Sequence, residues 1–181
     1  MLKKLTLEKK GFFFILDAVL GLIIIIIGVF LISNSRVNVQ PPTQVSLLSN
    51  DLLNFFSKTK IKDLNNPYAG IGGELWNGGV ITDQENSLLQ QIGEFYATNK
   101  GGIAESFVES VSKDIVPYQY RYEVWMNGDI IYPANPSPVH VQSKQSTKLL
   151  LTSKKITFGI VNGTLSKIWG PYTAEVFVWE K

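Results

Sequence analysis

The chain has no cysteine and a single histidine, His140. The first absence excludes disulfides, thiolate metal sites and a cysteine nucleophile. A domain of this kind has to be held by its own core or by assembly. The second leaves no pair of histidines at metal-ligand spacing. His140 falls in a proline-rich segment, expected to be a loop, and no Gly-x-Ser-x-Gly elbow is present to make a triad of it. Strong charge is also missing: 17 Lys and Arg face 15 Asp and Glu, a net of +2, so nothing marks a nucleic-acid partner. The glycine-rich stretch 65–79 carries no Lys-Ser/Thr pair and lacks the spacing of a phosphate or dinucleotide cradle. It reads as a surface loop around Leu75 and Trp76. Glu105 and Glu109 stand one helical turn apart, which suits a solvated helix face better than paired acid–base chemistry. The expectation is a protein without enzymatic activity, metal or cofactor.

What the sequence does have is one long apolar run. Phe12 to Ile32 is 21 residues with a single charge, Asp17. As a helix it would reach about 30 Å, the thickness of a bilayer's hydrocarbon core. It is apolar on every side, unlike an amphipathic surface helix. Lys3, Lys4, Lys9 and Lys10 precede it, and Arg36 alone follows closely. The positive-inside bias therefore puts the N-terminus in the cytoplasm and residues from 36 onward outside. Three fates fit such a segment. It could be a secretory signal cut near Ser33-Asn34-Ser35, although the run exceeds the roughly 7–15 apolar residues usual for one. It could be an uncleaved signal anchor. The third reading rests on the junction Lys9-Lys10-Gly11-Phe12-Phe13-Phe14-Ile15-Leu16-Asp17.

That junction resembles the class III leader of type IV prepilins, in which a short basic leader ends in glycine just before the hydrophobic stretch. The resemblance covers about 30 N-terminal residues and implies cleavage between Gly11 and Phe12 by a prepilin-type peptidase on the cytoplasmic side. It further implies that residues 12–32 remain as membrane anchor and filament core, and that the partners are membrane lipid and other pilin-like subunits or further copies of the chain. The family usually has a glutamate at the fifth mature position, whereas here Asp17 stands at the sixth. The Phe-rich start followed by Leu-Asp-Ala looks more like archaeal minor or divergent pilin-like proteins than bacterial major pilins. A carboxylate inside a bilayer costs about 2.5–3.5 kcal/mol and calls for a reason. The resemblance supplies one, pairing of Asp17 with the new α-amino group of Phe12 on the same or a neighbouring subunit. The simpler reading leaves Asp17 near the headgroups.

Beyond a linker at 33–44 containing Pro41-Pro42, apolar residues at 45, 48, 52, 55 and 56 recur at helical spacing. Thr82 to Glu85 reads as a capping box ahead of a helix carrying Leu88, Leu89, Ile92, Phe95 and Tyr96. A further helical stretch carries Ile103, Phe107, Val108 and Val111. From Tyr118 the period becomes two: Tyr118, Tyr120, Tyr122 and Val124 share a face, Trp125 takes the other, and Asn127-Gly128 marks a hairpin. The tyrosines read as core rather than as a sugar platform, and Trp125 as the exposed contact. Pro133 to Pro138 reads as loop, 146–152 and 155–161 as strands, Asn162-Gly163 as a turn, and 172–179 as a last strand with Tyr172, Ala174, Val176 and Val178 on one face. Asn162-Gly163-Thr164 is also an N-glycosylation sequon. The resulting class is α+β: a leader at 1–11, a membrane helix at 12–32, a helical part at 45–117 and an antiparallel sheet at 118–181. Expected functions are adhesion or surface contact as a pilin-like subunit, or binding by an anchored protein that does not polymerise.

Overall fold

The computed structural model describes residues 2–34, 44–161 and 167–181, with side chains over 14–30, 47–161 and 167–181. The chain divides into two compact units, Met1–Pro41 and Pro42–Lys181. The first is one helix, α1 (Leu2–Asn34), which runs through the expected leader and the apolar run without a break. Its described side chains are mostly exposed, Asp17 among them, and are almost all Leu, Ile, Val and Phe. Among the described residues no helix is long and apolar enough to cross a membrane. The described side chains of α1, from Phe14 to Phe30, would span only about 25 Å.

The second unit is α+β. Helices α2 (Gln44–Lys58), α3 (Glu74–Asn77), α4 (Leu88–Ala97) and α5 (Gly101–Ser112) precede strands β1 (Tyr120–Met126) and β2 (Asp129–Tyr132). Helix α6 (Pro138–Ser146) then interrupts the strands, and β3 (Leu150–Val161) and β4 (Lys167–Glu180) complete the sheet. All pairings are antiparallel, in the order β2-β1-β4-β3. The β1–β2 turn is Asn127-Gly128, both with positive φ (53° and 92°), as a two-residue hairpin demands.

The alternation in β1 and β4 has the effect its pattern promised. Tyr122, Val124 and Met126 lie opposite Val178, Val176 and Ala174, and all six are buried on the face that α2, α4 and α5 cover. Those helices contribute Leu52 and Phe56, then Leu88, Ile92 and Phe95, then Ala104, Phe107 and Val108. Spacing of three and four residues puts each set on one side of its helix. Phe95 meets Phe107 edge to face at 5.6 Å between centroids.

Several local expectations are corrected. Thr82–Glu85 does not cap α4. The cap is Ser87, whose Oγ accepts from the Gln90 amide while the Gln90 side chain accepts from the Ser87 amide. Glu85 instead accepts from Lys60 and Lys62, each at 2.8 Å, because the chain there runs beside residues 60–62. The two strands expected at 146–152 and 155–161 are one, β3. Its lysine pair is accommodated on opposite faces: Lys154 reaches Glu175 at 3.0 Å and Lys155 reaches Ser57 Oγ at 2.9 Å. The sheet part at 118–181 also contains a helix, α6, and Tyr118 lies outside the strand and is exposed. Asn162-Gly163, expected as a turn and sequon, lies outside the described residues. Gly11 and Phe12, the expected cleavage junction, lie on α1, and the side chain of Phe12 is outside the described ones.

Candidate functional site

The face of the sheet away from the core carries Arg121, Glu123 and Trp125 on β1. They stand opposite Trp179, Phe177 and Glu175 on β4. Helix α6 lies against this face. Its start is well specified: Ser137 is the N-cap, its Oγ accepting from the His140 amide, and Pro138 occupies the first helical position. Its inward side is polar, with His140, Ser143 and Lys144 at helical spacing, while Val139 and Val141 point to solvent.

Glu123 is the anchor for that polar side. It is buried, and its carboxylate receives Lys144 Nζ at 2.5 Å, Trp125 Nε1 at 2.8 Å and His140 Nε2 at 3.2 Å. The Lys144 ammonium also lies 4.8 Å from the Phe177 ring centroid, 5.1 Å from that of Trp125 and 5.7 Å from that of Trp179. Cation–π attraction and the carboxylate thus hold one charge from two sides. Ser143 Oγ accepts from Trp179 Nε1 at 3.0 Å, and the His140 ring packs on the edge of Trp179. Burial lowers the His140 pKa from its ordinary value, against the opposing pull of Glu123. The imidazole is therefore neutral at pH 7, and its Nε2 donates to the carboxylate, which can only accept.

Beside this lock lies a cleft of about 370 Å³, bounded by Tyr120, Arg121 and Tyr122 of β1, by Tyr132 at the end of β2 and Pro133 after it, and by the first turn of α6 at Ser137 and His140. Tyr122 and Tyr132 stack at 5.0 Å between centroids. Arg121 is half-buried, and its Nε is buried without a hydrogen-bond partner.

The structure redistributes the residues singled out from sequence. His140 is not in a loop: it sits on α6, buried, paired with a carboxylate and at the cleft wall. Trp125 is not an open contact, because Lys144, Phe177 and Glu123 cover it. Tyr122 is core, as expected, while Tyr120 is only partly buried. Glu105 accepts from the Ala134 amide at 2.7 Å, and Glu109 is exposed. Asp17 is placed on α1, in the other unit. Sequence reasoning missed Arg121, Glu123 and Lys144. Glu123 and Arg121 could have been flagged as charges in a strand that is otherwise aromatic and apolar. Among the described residues no group of three His, Asp or Glu side chains could hold a metal ion. Compared with family models, curated proteins and solved structures, the chain has no match.

Proposed function

We propose that the chain is a type IV pilin-like surface subunit, anchored in the membrane by residues 12–32 and carrying its second unit outside the cell. In this reading residues 1–11 are a leader cut between Gly11 and Phe12, and the apolar helix then joins a filament core with like subunits. The carrying observation is the junction Lys9-Lys10-Gly11-Phe12 immediately ahead of a bilayer-length apolar run. Asp17 supports it, since a lone carboxylate in an apolar segment is expensive unless it meets a positive group, and cleavage would create one at Phe12. The second unit adds an argument of its own. Ile156, Phe158 and Ile160 alternate along the edge strand β3, Ile168 stands opposite Ile160, and all four are at least half exposed. Contiguous apolar surface of this kind marks contact sites, and neighbouring subunits would cover it.

An anchored binding protein that does not polymerise is the second reading. The cleft beside Arg121 favours it, because a ligand cleft needs no filament. N-terminal sequencing of the protein recovered from its native membrane decides. A start at Phe12 is the expected result. A start at Met1 removes the pilin-like reading and leaves the anchored binding protein, and a start near Arg36 makes the second unit a secreted domain.

A further inference from the structure

We propose that the cleft between β1 and the first turn of α6 binds an acidic sugar residue, with the Arg121 guanidinium gripping its carboxylate. The starting point is the arginine. A buried N–H donor without an acceptor costs about 1–3 kcal/mol, and a guanidinium is the side chain best shaped to take a carboxylate by two parallel hydrogen bonds. The nearest acid on its own strand face, Glu123, is committed to Lys144, Trp125 and His140. Arg121 is thus held at the wall of a cleft whose other walls carry no acidic side chain among the described residues.

The other walls narrow the ligand. With His140 neutral at pH 7, Arg121 is the one full positive charge lining the cleft among the described residues, which suits a monoanionic carboxylate better than a dianionic phosphate. Tyr120, Tyr132, Ser137 and His140 line the cleft with Arg121; tyrosine rings suit the C–H face of a pyranose, and a serine hydroxyl can donate to a sugar oxygen. A volume of about 370 Å³ lies at the low end of the roughly 300–1,000 Å³ of small-molecule sites, enough for one terminal sugar residue. Pro133 and Ser137 bound the cleft where β1 extends past the end of β2, so an added peptide strand is disfavoured there. The proposal does not depend on leader cleavage or filament assembly, and it can fail while the N-terminal result stands.

The test is ligand-observed saturation-transfer NMR and calorimetry on the full chain in detergent. The probes are glucuronic acid and N-acetylneuraminic acid, with glucose, inorganic phosphate and a short peptide bearing a free C-terminal carboxylate as comparators. Expected is binding of at least one acidic sugar, weakened about tenfold or more by Arg121→Gln as a charged bidentate pair is lost, and only partly restored by Arg121→Lys. The thermal midpoint of Arg121→Gln should be unchanged or higher, because an arginine kept for a ligand contributes no bonds to the fold. Absence of binding by either acidic sugar, or equal binding by the Gln variant, overturns the proposal. So does preference for phosphate or for the peptide carboxylate. A clearly lowered midpoint for Arg121→Gln, with sugar binding lost through unfolding, would mark Arg121 as structural and overturn it as well.

Discussion

Trp169 shows how single residues set the packing on the helical side of the sheet. It is 5% exposed and lies between two glycines, Gly93 on α4 and Gly159 opposite it on β3. A Cβ at Gly93 would stand 2.3 Å from the Trp169 ring, and one at Gly159 2.6 Å from it. Glycine within a helix normally costs up to about 1 kcal/mol relative to alanine, so Gly93→Ala would stabilise an open helix. Here the overpacking penalty of about 1–3 kcal/mol outweighs that gain. Gly93→Ala should lower the denaturation midpoint, and pairing it with Trp169→Leu should recover part of the loss. A stabilised single variant would show that the slot is slack. In the sequence Gly93 is one glycine among 15, and nothing local marks it as the seat of a residue 76 positions away.

At the scale of the element, α6 is the informative case. An ordinary surface helix turns its apolar stripe inward, whereas α6 buries His140, half-buries Ser143 and Lys144 and leaves Val139 and Val141 out. Its hydrophobic periodicity is inverted, so a search for apolar spacing passes over it, and prolines at 133, 136 and 138 reinforce the loop reading. Ser137 and Pro138 start it locally, but what holds its polar side inward is the buried carboxylate of Glu123 on β1, which no local pattern encodes. Two outcomes follow. Lys144→Met keeps apolar bulk among the aromatic rings but strips Glu123 of its cation, and it should cost on the order of 3 kcal/mol, read by chemical denaturation. Acid should loosen α6 too. With its folded pKa below the ordinary 6.5, His140 binds fewer protons folded than unfolded. Its contribution is present above pH 6.5 and is lost as the pH falls through the window beneath it. The groups facing His140 are Glu123, which opposes the shift, and Arg121 and Lys144, which add to it. Amide exchange in α6, corrected for intrinsic rate, should accelerate as the pH falls below the ordinary histidine value of 6.5, and His140→Gln should flatten that dependence.

At the scale of the whole molecule, the hydrophobic core among the described residues is drawn from residues 52–178, all within the second unit. Residues 44–181 produced alone should therefore fold and unfold in one cooperative transition, with a midpoint matching that of the same unit in the full chain. A molten or aggregated product would mean that the first 43 residues supply part of its stability. The division is legible in the sequence because its causes are local. An apolar run on all sides and the Pro41-Pro42 pair each speak within a few tens of residues.

The sequence alone determined the apolar N-terminal segment, the helices ahead of β1, the Asn127-Gly128 hairpin and the buried faces of β1 and β4. These follow from backbone propensity and from burial repeating at 3.6 or 2 residues. Tertiary structure alone decided that β1 lies between β2 and β4, whereas the Ser87–Gln90 capping box of α4 was legible locally and passed over for Thr82–Glu85. Tertiary structure also decided that Glu123 gathers Lys144 and His140 from a helix of inverted pattern, leaving Arg121 Nε without a partner. Those outcomes depend on charges and rings brought together from distant positions, where burial sets the strength of each pairing and the local sequence carries no record of the partner.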